Sequence, residues 1–428
     1  MYDAVVLGAG VIGINTAYWL AKSGHKVAVI DRHSRPAEEA SFANGGQISV
    51  SHAEPWANPQ APLQVLKWLW QEDAPLQFSP RFDMHQWSWL AKWLWQCLPH
   101  NCKRNMAEII QLSAYSQRLL NEVSSEHKLN YQRQEKGILH FYCDQDIWQK
   151  VPRTARLMCD YGCQRQVLDK DQVLATEPAL APIADQICGG TYTEADQSGN
   201  AHEYCQQMME VCRNVGVDFH FNSHITEVKT QHHDVRIVIR NDYTQEELYA
   251  PRIVVCLGSW SAVLLRNLGI HTDIYPAKGY SLTIPVENPD AAPNVSLTDD
   301  EHKLVFSRLG DYLRVAGTAE LSGYNDDIPP ERIWPLLERA KTCFPDIGDF
   351  KEISPWTGLR PATPSNLPYI GKVRGFDNLW LNSGHGTLGW TMGCGSGKLL
   401  SDMINNPQSR GTDLLHQGFS NAHSDLYF

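Results

Sequence analysis

The sequence predicts an α/β protein in which one α/β domain, assembled from discontinuous segments, is interrupted by an inserted domain built on an antiparallel sheet. Three observations predict this. Residues 3–31 read as a complete strand–turn–helix–strand unit. Further α/β pieces return near 190–265 and 355–410, after long stretches of other material. Between those two, residues 274–317 hold several short strand candidates separated by turn signals, the pattern of antiparallel pairing.

In the first unit DAVVLG is a Val-rich apolar run, and Gly-Ala-Gly-Val-Ile-Gly breaks it. INTAYWLAKSG then reads as a helix with a Gly stop, and KVAVID as a second strand. Roughly 30 residues is the shortest span that a right-handed crossover permits. Gly8, Gly10 and Gly13 form Gly-x-Gly-x-x-Gly between strand and helix, and Asp31 ends the next strand 18 residues after Gly13. Gly8 allows the tight turn, Gly10 lets the backbone approach a pyrophosphate, and Gly13 lets helix and strand pack closely. The helix N-terminus offers free N–H groups to phosphates. Asp31 is placed to accept hydrogen bonds from ribose hydroxyls. Together these make a Rossmann-like dinucleotide fingerprint. The acid at 31 disfavours a 2′-phosphate and hence NADP, leaving NAD or FAD.

Further along, residues 60–128 read as mostly helical, with interruptions near Pro75 and Pro80. QRQEKGILHFYC holds a strand and 145–161 a helix. A second α/β cluster follows: GGTYT, the helix AHEYCQQMMEVCRNVG, the strand VDFHF, the pair HITEVKT and DVRIVIR, and RIVVCLGSW. PPERIWPLLERAKTCF is an amphipathic helix, and the tail after residue 352 is again strand, turn and helix. The expected division is therefore a nucleotide-binding domain of 1–55, 190–268 and 352–410. Segments 56–189 and 269–351 form the substrate domain, with a Trp-rich helical segment at 62–98.

Composition excludes whole classes of function. The 428 residues carry 37 Lys+Arg against 48 Asp+Glu, a net charge of −11, and no basic run. A nucleic-acid binder needs a basic stripe to displace phosphate counterions, so none is expected here. The eleven cysteines are scattered, odd in number and without Cys-x-x-Cys, which predicts reduced intracellular thiols rather than disulfides or a metal site. The opening MYDAVVLGAG has no basic n-region, and no apolar run of about 18 residues would span a bilayer.

Four blocks carry a resemblance: ASFANGGQIS after the fingerprint, PAKGYSLT, WTGLRPATPSNLPYIG, and the terminal SGHGTLGWTMGCGSGKLL. Together they resemble the D-amino-acid dehydrogenase small-subunit family, bacterial members of the FAD-dependent D-amino-acid oxidase-like (DAO) superfamily. The likeness runs from residue 1 to about 405. NGGQ stands where an Asn-Ala-Gly-Gln-like string is expected, and TPSNLP where Thr-Pro-Asp-Gly is usual. Both changes keep the backbone geometry and bear on substrate preference more than on cofactor.

The resemblance implies non-covalent FAD. Its ADP half would lie on Val6, Leu7, Gly8, Ala9, Gly10, Val11, Ile12, Gly13, Asp31 and Arg32, with Val228, Gly258 and Trp260 nearby. Ser41, Asn44, Gly45, Gly46 and Gln47, small or amide residues, would lie along the pyrophosphate and flavin ring. Gly384, Gly386, Thr387, Leu388 and Gly389 would place a helix N-terminus at the flavin's pyrimidine end, stabilising charge developing there. Arg360 would clamp the substrate carboxylate, since a planar guanidinium makes two parallel charge-assisted bonds. Tyr280 and Tyr324 are candidates to close the site with a hydroxyl. His385 is a candidate base, although hydride transfer from a neutral amine needs none.

The implied chemistry is oxidation of D-amino acids to 2-oxo acids and ammonia, with electrons passed to a quinone or other respiratory-chain acceptor. Alternatives are a same-fold oxidase or dehydrogenase of glycine, sarcosine or proline-type secondary amines, or an electron-transfer flavoprotein subunit. Six of the 14 Trp (68, 70, 87, 89, 93 and 95) crowd into 28 positions. On a helical wheel, residues 87–98 show an apolar arc of about 240°, too wide for a simple surface helix. Burial or a subunit contact is one reading. The other is a peripheral contact with lipid headgroups, which would place a cytoplasmic protein on the inner face of the bacterial inner membrane.

Overall fold

The computed structural model describes residues 1–68, 76–230 and 234–406. Its first layer is a six-stranded sheet in the order Tyr369–Lys372, Leu379–Ser383, Ile253–Val255, Ala4–Leu7, Val27–Ile30, Asp218–His220. The last five pair in parallel, and Tyr369–Lys372 is an antiparallel edge. Strands from four distant stretches of chain thus form one sheet.

The alternation of side chains explains how this sheet is covered. Ala4, Val6 and Val29 point to one face, where the helices Val11–Lys22, Ala201–Asn214 and Gly389–Asn405 supply Ile14, Tyr204 and Leu400 to a shared core. Val5, Leu7 and Ile30 point to the other, against Ile237 and Leu248 of a three-stranded antiparallel sheet spanning His224–Ala250.

The second layer is a nine-stranded sheet, in the order Ser354–Ala362, Tyr275–Pro285, Tyr312–Leu321, Leu304–Leu309, Ser296–Asp299, Ile138–Tyr142, Gly189–Thr193, Gln166–Asp169. Leu76–Phe78 pairs alongside Tyr312–Leu321. The sheet is antiparallel except where Ile138–Tyr142 meets Ser296–Asp299 and where Leu76–Phe78 joins. The helix Pro330–Cys343 covers one face, burying Leu282, Ile284, Leu313 and Val315 with Leu336. The opposite face looks towards the six-stranded sheet.

Three expectations change. Gly189–Thr193 was expected to begin a nucleotide-binding segment, but it pairs with Ile138–Tyr142 in the nine-stranded sheet. Ser354–Ala362 likewise pairs along nine positions with Tyr275–Pro285. Both are long-range antiparallel pairings, which no local pattern specifies. The helix expected over 145–161 is two, Gln145–Trp148 and Val151–Asp160, because Pro152 occupies the first turn of a new helix.

In the Trp-rich segment, helices Ala61–Trp68 and Met84–Gln96 flank the strand Leu76–Phe78, while Trp70 and Pro75 lie outside the described residues. The second helix has two faces. Trp89 and Trp93 are buried at 3% and 5% exposure, and the Trp89 indole donates to the Ala362 carbonyl at 3.0 Å. Trp87 and Trp95 are exposed at 45% and 63%. Among the described residues, no helix is long and apolar enough to cross a membrane.

Candidate active site

Between the two sheets runs a cavity of about 1370 Å³, larger than the 300–1,000 Å³ or so of most small-ligand sites. Its floor is the fingerprint. Gly8 turns the chain at φ +102°, and a Cβ on Gly13 would run into the Gly8 carbonyl, so helix and strand approach this closely only with glycine. Gly8, Gly10, Val11 and Ile12 line the cavity, whereas Val6, Leu7, Ala9 and Gly13 stand behind it. The Asp31 carboxylate accepts from the Ala9 amide at 2.7 Å and the His33 amide at 2.9 Å. Burial, only partly offset by those amides, raises its pKa. A carboxylate has about four lone-pair positions, so acceptor capacity remains for hydroxyls. Arg32 stacks over the Trp260 ring at 4.7 Å, and Gly258 and Trp260 also line the wall. Val228 does not: it packs in the core beneath the three-stranded sheet, and residues 223–225 take the wall position.

Ser41 and residues 43–47 line the cavity and are pinned from both sides. Ser41 accepts from the Val11 amide at 3.3 Å. Ser281 and Ser307 donate to the carbonyls of Ala43 and Gly45, each at 2.7 Å, and Arg314 donates to that of Asn44 at 3.1 Å. Asn44 accepts from the Gly46 amide. The Gln47 amide, expected to donate to a flavin, donates instead to Ser296 at 3.0 Å and the Leu297 carbonyl at 3.2 Å. Register accounts for this, because the short strand Gln47–Ile48 brings that side chain against the second sheet.

Arg360 stands on the roof. Its guanidinium donates to the carbonyls of Thr318 at 2.7 Å and Gly317 at 3.3 Å, and no carboxylate pairs with it among the described residues. Burial pushes its pKa down to about 10. A Cβ on Gly279 would occupy the place of the guanidinium, so that glycine makes the room for it. Thr318 holds φ +52°, a left-handed conformation that costs a β-branched residue about 1–3 kcal/mol. Its Oγ1 is buried without a partner among the described residues.

His385 lines the wall opposite, with Gly386, Thr387, Leu388 and Gly389. Gly384 is set back at φ +87° and makes the turn. Ser396 donates to the Gly393 carbonyl, so its Oγ accepts from His385 Nε2 at 3.0 Å. The Nδ1 atom is then a buried acceptor without a partner among the described residues. Burial lowers the ring's pKa to about 3, which makes it neutral and a poor base.

Neither tyrosine offers its hydroxyl to the cavity, although Tyr280 borders it. Tyr280 lies between Gly279 and Ser281, which face the cavity, so its side chain is on the other face of the strand. There its hydroxyl donates to Glu320 at 2.7 Å, and Arg332 lies over its ring. Tyr324 donates to the Ser259 carbonyl at 2.8 Å and its ring packs on Trp260 at 4.8 Å, which bolts down the Gly258–Trp260 turn.

A charged corner went unread in the sequence. His52, Glu54, His140, Arg165, Asp300 and Lys303 all line the cavity. They come from four separate segments. The one local signal is His140, a polar residue in the otherwise apolar strand Ile138–Tyr142.

These features fit a dinucleotide: a glycine floor that Cβ atoms would fill, an acid with spare acceptors, and orphaned polar atoms on the wall. A model of FAD dependent oxidoreductases (DAO) matches residues 3–403. The chain belongs to the FAD dependent oxidoreductase (DAO) family. Among relatives, the D-amino acid dehydrogenase of Dechloromonas aromatica (strain RCB) is 47% identical over 94% of this chain and 96% of its own. That of Paramagnetospirillum magneticum (strain ATCC 700264 / AMB-1) is 44% identical over 95% of each. The structure of glycine oxidase from Geobacillus kaustophilus shares the fold, with a TM-score of 0.74 at 19% identity over 96% of each chain. As a DAO-family member the chain is an FAD-dependent amino-acid oxidoreductase of mixed α/β fold.

Proposed function

We propose that this chain oxidatively deaminates D-amino acids to 2-oxo acids and ammonia, and that its electrons leave through a quinone-type acceptor. One observation carries the substrate class: a buried guanidinium, Arg360, on the cavity wall with only carbonyls for partners. A buried cation without a counter-ion is costly, and a substrate carboxylate supplies one through two parallel bonds. The names of the relatives support the D-configuration. Bound FAD supplies a two-electron acceptor that takes hydride at N5.

The residues do the positioning. Gly8, Gly10 and Asp31 would hold the adenosine half, residues 41–47 the middle, and His385 to Gly389 the far end. Arg360, kept in place by the carbonyls of Gly317 and Thr318, fixes the carboxylate so that Cα faces the cofactor. His385 Nδ1, a neutral acceptor, orients a hydroxyl or N–H of the bound group rather than removing a proton. Oxidation of the amine leaves an imino acid, which takes up water and releases ammonia as the 2-oxo acid forms. Every cysteine thiol whose pKa shifts is raised, burial being the largest cause, which disfavours the thiolate needed for a covalent flavin link. The thiols thus offer no ready tether, in keeping with the proposed non-covalent FAD.

For the acceptor, Leu63, Leu66, Trp87, Leu94 and Trp95 are all exposed on the two Trp-rich helices. An exposed apolar patch with Trp at its edge suits the headgroup layer, where lipid-soluble quinone is reached. This supports a peripheral site on the inner face of the inner membrane.

The deciding experiment is anaerobic addition of D-alanine to the yellow holoprotein, followed by the same with L-alanine. Bleaching by the D-isomer alone is expected. Bleaching by neither, or equally by both, overturns the proposal. Acid precipitation should release all the flavin into the supernatant.

A further inference from the structure

The cavity does not end at Arg360. Its guanidinium donates to the Gly317 carbonyl, and Gly317 stands opposite Leu304 in the antiparallel register. A Cβ on Gly317 would meet the Lys303 carbonyl at 2.6 Å, so the turn bearing Asp300 and Lys303 adjoins the proposed carboxylate clamp. The charged corner is therefore within the cavity that holds the substrate.

In that corner the basic groups are already engaged. Arg165 donates to Thr191 at 2.8 Å, to the Ser51 carbonyl at 3.1 Å and to the Tyr142 hydroxyl at 2.9 Å. It also lies 4.0 Å from Asp300. The same Asp300 binds His140 Nδ1 at 2.7 Å and sits 3.6 Å from Lys303. Burial opposes the Asp300 charge, yet His140, Lys303 and Arg165 hold its pKa well below the usual carboxylate range. His52 stacks on His140 with centroids 6.2 Å apart, and burial lowers its pKa to about 4, so it adds no positive charge near neutrality.

One charged group in the corner is left over. Glu54 lines the cavity and makes no hydrogen bond or ion pair among the described residues. We infer that Glu54 is a side-chain subsite that selects D-amino acids ending in a cation, a primary ammonium or a guanidinium. The Glu54 side chain is exposed to the cavity rather than packed into its wall, so an incoming donor can reach it, and the surrounding protein raises its pKa. A substrate anchored at Arg360 by its carboxylate carries such a donor into the corner on a long side chain. The neutral His52 ring offers a second acceptor there.

This inference rests on the D-amino-acid reading, and its test separates the two. The kcat/KM of D-lysine is compared with that of D-norleucine, which has the same reach without the charge, in the wild-type holoenzyme and in Glu54→Gln. The wild type should favour D-lysine, and the substitution should lower that ratio about tenfold, as for loss of one charge-assisted contact. A ratio at or below one, a ratio unmoved by Glu54→Gln, or a preference for D-glutamate overturns the subsite. A binding measurement needs neither turnover nor a folded variant. 6-Aminohexanoate should perturb the flavin spectrum of the wild type at lower concentration than hexanoate, and equal concentrations overturn the subsite. If no D-amino acid bleaches the flavin, the catalytic reading fails, and this titration still decides Glu54.

Discussion

The Arg360 guanidinium occupies the space that a side chain on Gly279, its diagonal neighbour on the paired strand, would fill. The clamp thus depends on a residue that has nothing to contribute but room.

Gly279→Ala should therefore act as an Arg360 mutation at one remove. Displacing the guanidinium removes a buried charge-assisted pair, about 3 kcal/mol or roughly 10²-fold in kcat/KM for amino acids. Arg360→Lys should lose a comparable amount, because a point charge cannot reproduce the fork. Steady-state kinetics with D-alanine check both, and a Gly279→Ala enzyme within twofold of wild type would remove Arg360 from the clamp.

Gly13→Ala tests the floor. The added methyl collides with the Gly8 carbonyl and must force helix and strand apart, at a cost of about 1–3 kcal/mol. Flavin content per protein after gel filtration should fall sharply while the circular dichroism stays α/β.

Acid should draw stability out through two buried histidines, against the opposite contribution of Glu108, whose pKa burial raises to about 7. His385 and His52 have folded pKa values near 3 and 4, depressed mainly by burial, against about 6.5 when unfolded. A depressed folded pKa contributes stability above pH 6.5 or so, and that stability drains as pH falls towards the folded value. Each such histidine removes about 1.4 kcal/mol per pH unit in that window. Denaturant melts between pH 7 and 5 should show this slope, and His385→Asn should flatten it. An unchanged slope in the variant would mean that His385 is not held neutral.

The tryptophans divide into two kinds. Trp89→Ala empties a core site and leaves the Ala362 carbonyl without its donor, at about 3–5 kcal/mol. Trp95→Ala should cost under about 0.5 kcal/mol. Trp95→Glu should instead weaken sedimentation with anionic-lipid vesicles. Equal sedimentation would retire the membrane face.

Legibility in the sequence follows the range of each signal. The first unit is readable because its strand, turn, helix and terminal acid lie within 31 consecutive residues. Ser354–Ala362 and Gly189–Thr193 are misallocated because sheet membership is decided by partners far away in sequence. Arg360 is found through resemblance alone, since nothing in its neighbours says that it is buried without a counter-ion. Tyr280 is misread because a period of two says only that it opposes Gly279 and Ser281, and the fold decides which face meets the cavity. The corner at 52, 54, 140, 165, 300 and 303 has no local signature beyond the polar His140 in an apolar strand, because only the fold brings those positions together.

The pins on residues 41–47 have a consequence for how the molecule comes apart. Ser281, Ser307, Arg314 and the Gln47 amide stitch that strip of the first layer to strands of the second. Neither half can swing open without tearing the stitches that shape the cofactor's bed. Heat should therefore release flavin and melt both layers in one cooperative step, with no yellow half-molten species between.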